Sequence, residues 1–178
     1  VETLMSYKVI DNFLNNQFYE KLSYDIKGEH MPWYYTKIDV DLKKSMNNGL
    51  FTYSYYGNHK PLSDKFDEHI RPITESLDVD ALILVRANLV LRDVDTIETP
   101  YHTDNNCLYS TTGILFLTTC NAKTVLKIKN KEVSIDSVEN RLLLFDSKIE
   151  HKVLYHTDVW KRHVINFNFI RNKNEVYP

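Results

Sequence analysis

The chain has 178 residues, of which 43% are apolar and 26% charged, and a formal net charge of −2. This is the size and balance of one ordinary domain; it excludes disordered and fibrous chains and lacks the basic excess of a nucleic-acid binder. The apolar runs, such as Ala81–Val85 and Leu142–Phe145, are too short for a bilayer span, and Glu2, Ser6, Tyr7 and Lys8 interrupt any signal-peptide core. Cys107 and Cys120 are too few for a disulfide framework and read as buried thiols, so a soluble cytoplasmic domain with no membrane partner is expected.

The four glycines, Gly28, Gly49, Gly57 and Gly113, are scattered. That excludes glycine-rich phosphate cradles, which need clustered Gly for backbone N–H groups to approach a ligand. Asn, with 16 copies, is expected to fill left-handed turn positions, as at Asn47-Asn48 and Asn105-Asn106.

In chain order, Phe13, Leu14, Phe18, Leu22 and Ile26 recur at helical spacing, predicting a helix over Phe13–Ile26 with Asp11 or Asn12 as its cap. Trp33–Val40 and Leu50–Tyr56 are rich in Tyr and β-branched residues and predict strands. Pro61 is expected to open a second helix running to about Leu77, which Pro72 kinks or divides. From residue 81 the pattern turns almost wholly to strand: Ala81–Arg92, Thr111–Thr119, Thr124–Lys129, Lys131–Ile135, Arg141–Phe145, Lys152–Tyr155 and Arg162–Ile170. Short strands at this spacing behind two helices predict one α+β domain over residues 1–178. Its core is a double-stranded β-helix (jelly roll) over 81–171, and residues 1–80 form a support whose helices pack on the larger sheet.

Tyr101-His102-Thr103-Asp104 places an imidazole and a carboxylate on one face of an extended chain, where both could reach a single metal. Alone the pattern means little: seven His and 14 Asp give about half an HxD pair by chance, and Tyr155-His156-Thr157-Asp158 repeats the same letters. Position separates the copies. A two-His, one-carboxylate iron site needs another His from a distant strand, and His151 follows the first copy at a distance that leaves room for several strands. The second copy has only His163 after it and is expected to form the turn before the last strand. In that strand, alternation puts Arg162, Val164, Asn166 and Asn168 on one face and His163, Ile165, Phe167 and Phe169 on the other. An Arg inside a small barrel demands an anion, and a bound dicarboxylate could supply it through a bidentate fork.

Other readings stand beside these. His102 and Asp104 could be solvated turn residues, His151 a surface His beside Glu150, and Arg162 a surface Arg, with Lys161 taking its place after a one-residue register change. His30, His59, His69, His156 and His163 read as surface or hydrogen-bonded residues. The Tyr-rich stretches around Trp33-Tyr34-Tyr35 and Tyr53, Tyr55 and Tyr56 read as core and sheet surface.

His102-x-Asp104, His151 and, eleven positions on, Arg162 resemble the signature of the iron(II)/2-oxoglutarate-dependent dioxygenases. The prolyl-hydroxylase-like branch, with its small phage and bacterial members, is the most similar. Val85-Arg86-Ala87-Asn88-Leu89, Arg141–Asp146 and Arg162–Asn166 resemble that branch's first core strand, the strand before the distal His and the cosubstrate strand. The segment Val9–Leu14 with Pro32–Tyr35 is similar to its N-terminal region. The resemblance implies that His102, Asp104 and His151 hold Fe(II) and that Arg162 grips the distal carboxylate of 2-oxoglutarate. O2 would be the co-oxidant; Asn88 and Asn166, polar positions on flanking strands, could donate to the cosubstrate. It implies an oxygenase that couples oxidative decarboxylation to succinate and CO2 with hydroxylation of a protein, peptide or small metabolite; an Asp at 104, rather than the small residue of related halogenases, favours hydroxylation. The chain departs from the branch in lacking a Tyr in Gly113–Leu117 and in carrying Asn121-Ala122 where Gly-Gly is usual, and no peptide lid carries prolyl specificity over. Two other functions fit the same fold: oxidative demethylation of nucleic-acid bases, which the near-neutral charge disfavours, and a non-catalytic jelly-roll binding module.

Overall fold

The computed structural model describes residues 7–37, 49–105, 107 and 109–171. Eleven strands alternate with a few helical segments: β1 (Tyr7–Ile10), α1 (Asn16–Lys27), β2 (Tyr34–Lys37), β3 (Gly49–Gly57), β4 (Lys60–Pro61), a π turn (Phe66–Ile70), α2 (Arg71–Ser76), β5 (Val79–Leu91), β6 (Ser110–Phe116), β7 (Cys120–Ile128), β8 (Lys131–Ser137), β9 (Arg141–Asp146), β10 (His151–Leu154) and β11 (Lys161–Arg171). The larger sheet runs β1-β9-β6-β11-β5-β3-β2, with β4 on β3; the smaller runs β10-β7-β8. Two isolated antiparallel bridges, Glu98 to Leu154 and His102 to His151, lay the segment before β6 alongside β10 and extend the smaller sheet. All seven strands expected after residue 81 are present, and two sheets face to face make the α+β double-stranded β-helix.

The final strand divides its faces as alternation requires. Ile165, Phe167 and Phe169 join Val85 and Ala87 of β5 and meet Leu22 and Ile26 of α1 and Ile70 and Ile73 of the second helical segment. Fully burying each such side chain is worth about 1.5–3 kcal/mol, enough to hold the helices on the sheet. Val164 faces the other way, into a cluster between the sheets with Ile114, Phe116, Leu126, Leu143 and Phe145.

The helices differ from expectation. The α1 cap is Asn15, whose side chain accepts from Phe18 N at 3.0 Å, not Asp11 or Asn12. Tertiary pairing takes the preceding residues out of the helix: Phe13 N donates to Asn140 O, Leu14 N to Asn140 Oδ1, and Asp11 pairs with Arg141. Pro61 lies in β4 and does not open a helix. Pro72 does divide the second segment: it has no N–H to donate to the carbonyl four residues back, and the π turn ends at Ile70 while α2 starts at Arg71 with Pro72 in its first turn. Of the expected strand Trp33–Val40, Tyr34–Lys37 is extended and 38–40 lie outside the described residues. Among the described residues the left-handed positions go in half the cases to Asn, at Asn12, Asn58, Asn130 and Asn140, and otherwise to His59, Asp78, Tyr109 and Lys129, while no described Gly has positive φ. Asn105 is not among them, and Asn47, Asn48 and Asn106 lie outside the described residues. Cys107 is exposed and Cys120 half-buried, so neither is the buried thiol expected.

His163 is buried beneath Trp33, its ring 5.8 Å away. Burial, with repulsion from Lys27, Lys161 and His156, pushes its pKa down to about 4. The unfolded imidazole takes its proton near pH 6.5, so between those values unfolding binds a proton; stability is intact above about 6.5 and falls as pH drops toward 4. His163→Phe should flatten that slope by about 1–3 kcal/mol between pH 7 and 4.5 in urea titrations. An unchanged slope would clear His163 of any part in acid lability.

Candidate metal and anion site

The three residues expected to hold a metal come together. The His102–His151 bridge is closed by both backbone hydrogen bonds, His102 N to His151 O at 3.0 Å and the reverse at 2.9 Å, and sets the two rings 4.4 Å apart. Each ring is oriented the same way. His102 Nδ1 lies 3.2 Å from Pro100 O and His151 Nδ1 3.1 Å from Ile149 O. A carbonyl only accepts, so Nδ1 carries a hydrogen in both, and Nε2 is the nitrogen each ring turns toward Asp104 as a ligand atom. Those Nε2 atoms converge on Asp104 Oδ1, at 4.0 Å from His102 and 3.5 Å from His151, and the ligand atoms of the triad all lie within 4.8 Å of one another.

Asp104 is held from behind. Thr112 Oγ1 donates to its Oδ2 at 2.9 Å and Asn168 Nδ2 at 3.1 Å; Asn168 also donates to Thr112, and the Ser147 hydroxyl lies 2.9 Å beyond. Burial opposes ionisation of Asp104, but hydrogen bonding and the field of His151, with the Asn168 and Thr112 donors, hold its pKa down to about 2. Burial, then the neighbouring His151, lowers the His102 pKa and keeps that ring neutral. Asp104 is therefore ionised and His102 neutral, the states in which a carboxylate and an imidazole bind a divalent cation.

The triad opens into a cavity of about 440 Å³ between the sheets. Arg162 lines it from β11 and is 4% exposed. Its Nε donates to Ser137 Oγ at 3.3 Å and its guanidinium stands 5.6 Å from the Phe116 ring centre; no carboxylate among the described residues pairs with it. Asn88 and Asn166 line the same cavity, and the Oδ1 of each is buried without a hydrogen bond, as is Thr124 Oγ1. A buried guanidinium without a carboxylate fits an anionic ligand, while the unmet amide oxygens, which only accept, fit hydrogen-bond donors. The six residues proposed from sequence thus share one cavity wall, and Lys161 is exposed, which removes the alternative register.

Sequence reasoning missed Thr112, the support of Asp104, and Arg86, a second guanidinium in the cavity. Period-2 alternation, applied to the strand that carries Asn88, puts Arg86 two positions back on the same face and was the signal available for it. The second His-x-Asp copy is a turn, Asp158 accepting from Asn121 N and Thr157 bonding Asn121. His156 is neither at the surface nor hydrogen-bonded: burial keeps it neutral and both ring nitrogens lack partners. His69 is buried but satisfied, between Tyr55 Oη at 2.8 Å and Asp25 at 3.2 Å.

No protein-family model matches the sequence, and no curated protein does. Solved structures do match. A Pseudomonas putida prolyl-4-hydroxylase is similar at a TM-score of 0.68 and 11% identity over 95% of this chain and 94% of that one. A Trichoplax adhaerens prolyl hydroxylase, in complex with a hypoxia-inducible-factor peptide, is similar at 0.67 and 16% over 92% and 83%. A 2OG-Fe(II) oxygenase-family oxidoreductase from Burkholderia pseudomallei is similar at 0.68 and 9% over 94% and 86%. With two facing sheets, a helical layer on the larger, and these likenesses along nearly the whole chain, the protein has the fold of the 2-oxoglutarate- and Fe(II)-dependent oxygenases, in the form seen in prolyl hydroxylases.

Proposed function

We propose that the chain is an Fe(II)- and 2-oxoglutarate-dependent oxygenase, a single catalytic domain that hydroxylates a small metabolite, peptide or protein side chain. The observation that carries this reading is the pairing, in one cavity, of a convergent His-Asp-His triad with a buried guanidinium that has no carboxylate partner. His102, Asp104 and His151 would hold the metal; Arg162 would grip the distal carboxylate of the cosubstrate, and Asn88 and Asn166 would contribute hydrogen bonds along it. Bound iron supplies the activation of O2, so that 2-oxoglutarate, O2 and a substrate C–H become succinate, CO2 and an alcohol.

The protein's own part is placement. The Pro100 and Ile149 carbonyls fix the tautomer of the two imidazoles, and Thr112 and Asn168 turn one Asp104 oxygen away so that the other faces the lone pairs. Arg162 orients the cosubstrate by a charge-assisted fork in a wall that keeps water away from it. The peptide bound to the Trichoplax structure supports a peptide as one candidate substrate class.

Thermal stability tests the reading. Mn(II) with 2-oxoglutarate should raise the midpoint by several degrees through mass action, and EDTA should abolish the rise, as should His102→Ala or Arg162→Ala. No rise with any divalent metal would favour a non-catalytic jelly-roll module.

A further inference from the structure

The cavity holds more positive charge than a metal and 2-oxoglutarate explain. Arg86, Asn88 and Val90 share one face of β5 and all line it. Arg86 is half-buried, its Nε is buried without a hydrogen bond, and no carboxylate among the described residues forms an ion pair with it. Asp104 is near enough to favour its charged form against burial, but Oδ2 of Asp104 is already occupied by Thr112 and Asn168.

Register places Arg86 at the opposite end of the cavity from Arg162. Arg162 faces Val90 across the β5–β11 ladder and Asn166 faces Arg86, so the two Arg backbones are four residues apart along the strands, about 13 Å. The carboxyl carbons of a five-carbon diacid lie only about 5 Å apart at ~1.5 Å per bond, so Arg162 suffices for the distal carboxylate and Arg86 is left beside the triad. Charge completes the argument. With a divalent ion on neutral imidazoles and ionised Asp104, a dianionic cosubstrate and two guanidiniums, the loaded cavity keeps a single positive charge in excess. Neutralising that excess takes one carboxylate.

Resting on the oxygenase reading, we propose that Arg86 is a substrate-specificity residue: it binds a free carboxylate of the substrate next to the metal, with the orphaned Asn166 Oδ1 at its side for a hydrogen-bond donor of the same molecule. The substrate class is then a carboxylic acid oxidised at a carbon near its carboxyl group. A free amino acid and a peptide C-terminus both carry that chemistry.

The test measures succinate release by the Fe(II)-loaded protein with the free L-amino acids, each against its carboxamide, and with short peptides ending in a free acid, each against its C-terminal amide. Stimulation by acids and not by their amides is expected, and the arm that responds identifies the source of the carboxylate. In Arg86→Gln the KM for the responding acid should rise about a hundredfold and the preference over its amide should disappear, while Arg86→Lys should retain part of it. The thermal shift given by Mn(II) with 2-oxoglutarate should survive in Arg86→Gln. If Arg86→Gln loses that shift, Arg86 serves the cosubstrate and the proposal falls; it falls equally if acids stimulate no better than amides. Absence of the shift in the unsubstituted protein would instead bring down the oxygenase reading itself.

Discussion

Replacing Arg162 with Met should raise the thermal midpoint of the ligand-free protein and at the same time weaken 2-oxoglutarate binding by about 10²- to 10³-fold. The two effects have one cause. The guanidinium is buried against Phe116 and Ser137 with no carboxylate partner, so the ligand-free fold carries its desolvation without the compensating anion. Ser137 loses little, because its hydroxyl also donates to Thr118 O. Removing the charge should stabilise by about 1–2 kcal/mol, and at ~2–4 °C per kcal/mol for a chain of this size the rise is a few degrees. Once 2-oxoglutarate is present, the order reverses, since only the Arg protein gains from the ligand. Arg162→Lys should lie between: it keeps a charge and loses the fork. Calorimetry of the Mn(II)-loaded proteins with and without 2-oxoglutarate measures both quantities. A Met variant that is less stable, and that loses metal and cosubstrate affinity together, would make Arg162 a structural residue.

What the sequence revealed and what it hid follow from the range of the forces involved. Strands β5 to β11 were legible because their period-2 alternation is local and each buries a face; the split of β11 into Arg162, Val164 and Asn166 against Ile165, Phe167 and Phe169 needed no knowledge of the partner strands. The start of α1 was not legible, since Asn140, more than a hundred residues away, captures Phe13 and Leu14 before the helix begins. The triad was visible only as a set of candidates: spacing said that His151 had room to return, while the reciprocal bridge that brings it to His102 belongs to tertiary structure. Thr112 and Ser147 gave no signal at all. Nothing about a hydroxyl in a strand announces that it will stand behind a carboxylate eight residues earlier in the chain. Arg86 was hidden differently: as one charged residue in a strand it suggests solvent, and only the enclosing sheet turns it into a cavity wall.

Those hydroxyls and amides give the sharpest expectation for the metal. Asp104→Asn should leave the fold intact and remove divalent-metal binding, a larger loss than the 10- to 100-fold that follows removal of an orienting partner. Thr112 Oγ1 and Asn168 Nδ2 both present hydrogens to the Oδ2 position, so an Asn there is driven to place its carbonyl oxygen against them. Its NH2 group then points at the Nε2 lone pairs of His102 and His151, which Asp104 Oδ1 faces in the unsubstituted protein. The amide donates to those lone pairs and fills the position a cation needs, so the variant should be at least as stable as the ligand-free parent. Thr112→Val removes one of the two donors and should weaken Mn(II) binding by about 10- to 100-fold without abolishing it. Adding Thr112→Val to Asp104→Asn lets the amide turn over and should restore a measurable fraction of metal affinity. Titration of Mn(II) by electron paramagnetic resonance distinguishes the three proteins, and tight binding in Asp104→Asn alone would mean that the carboxylate is not a ligand.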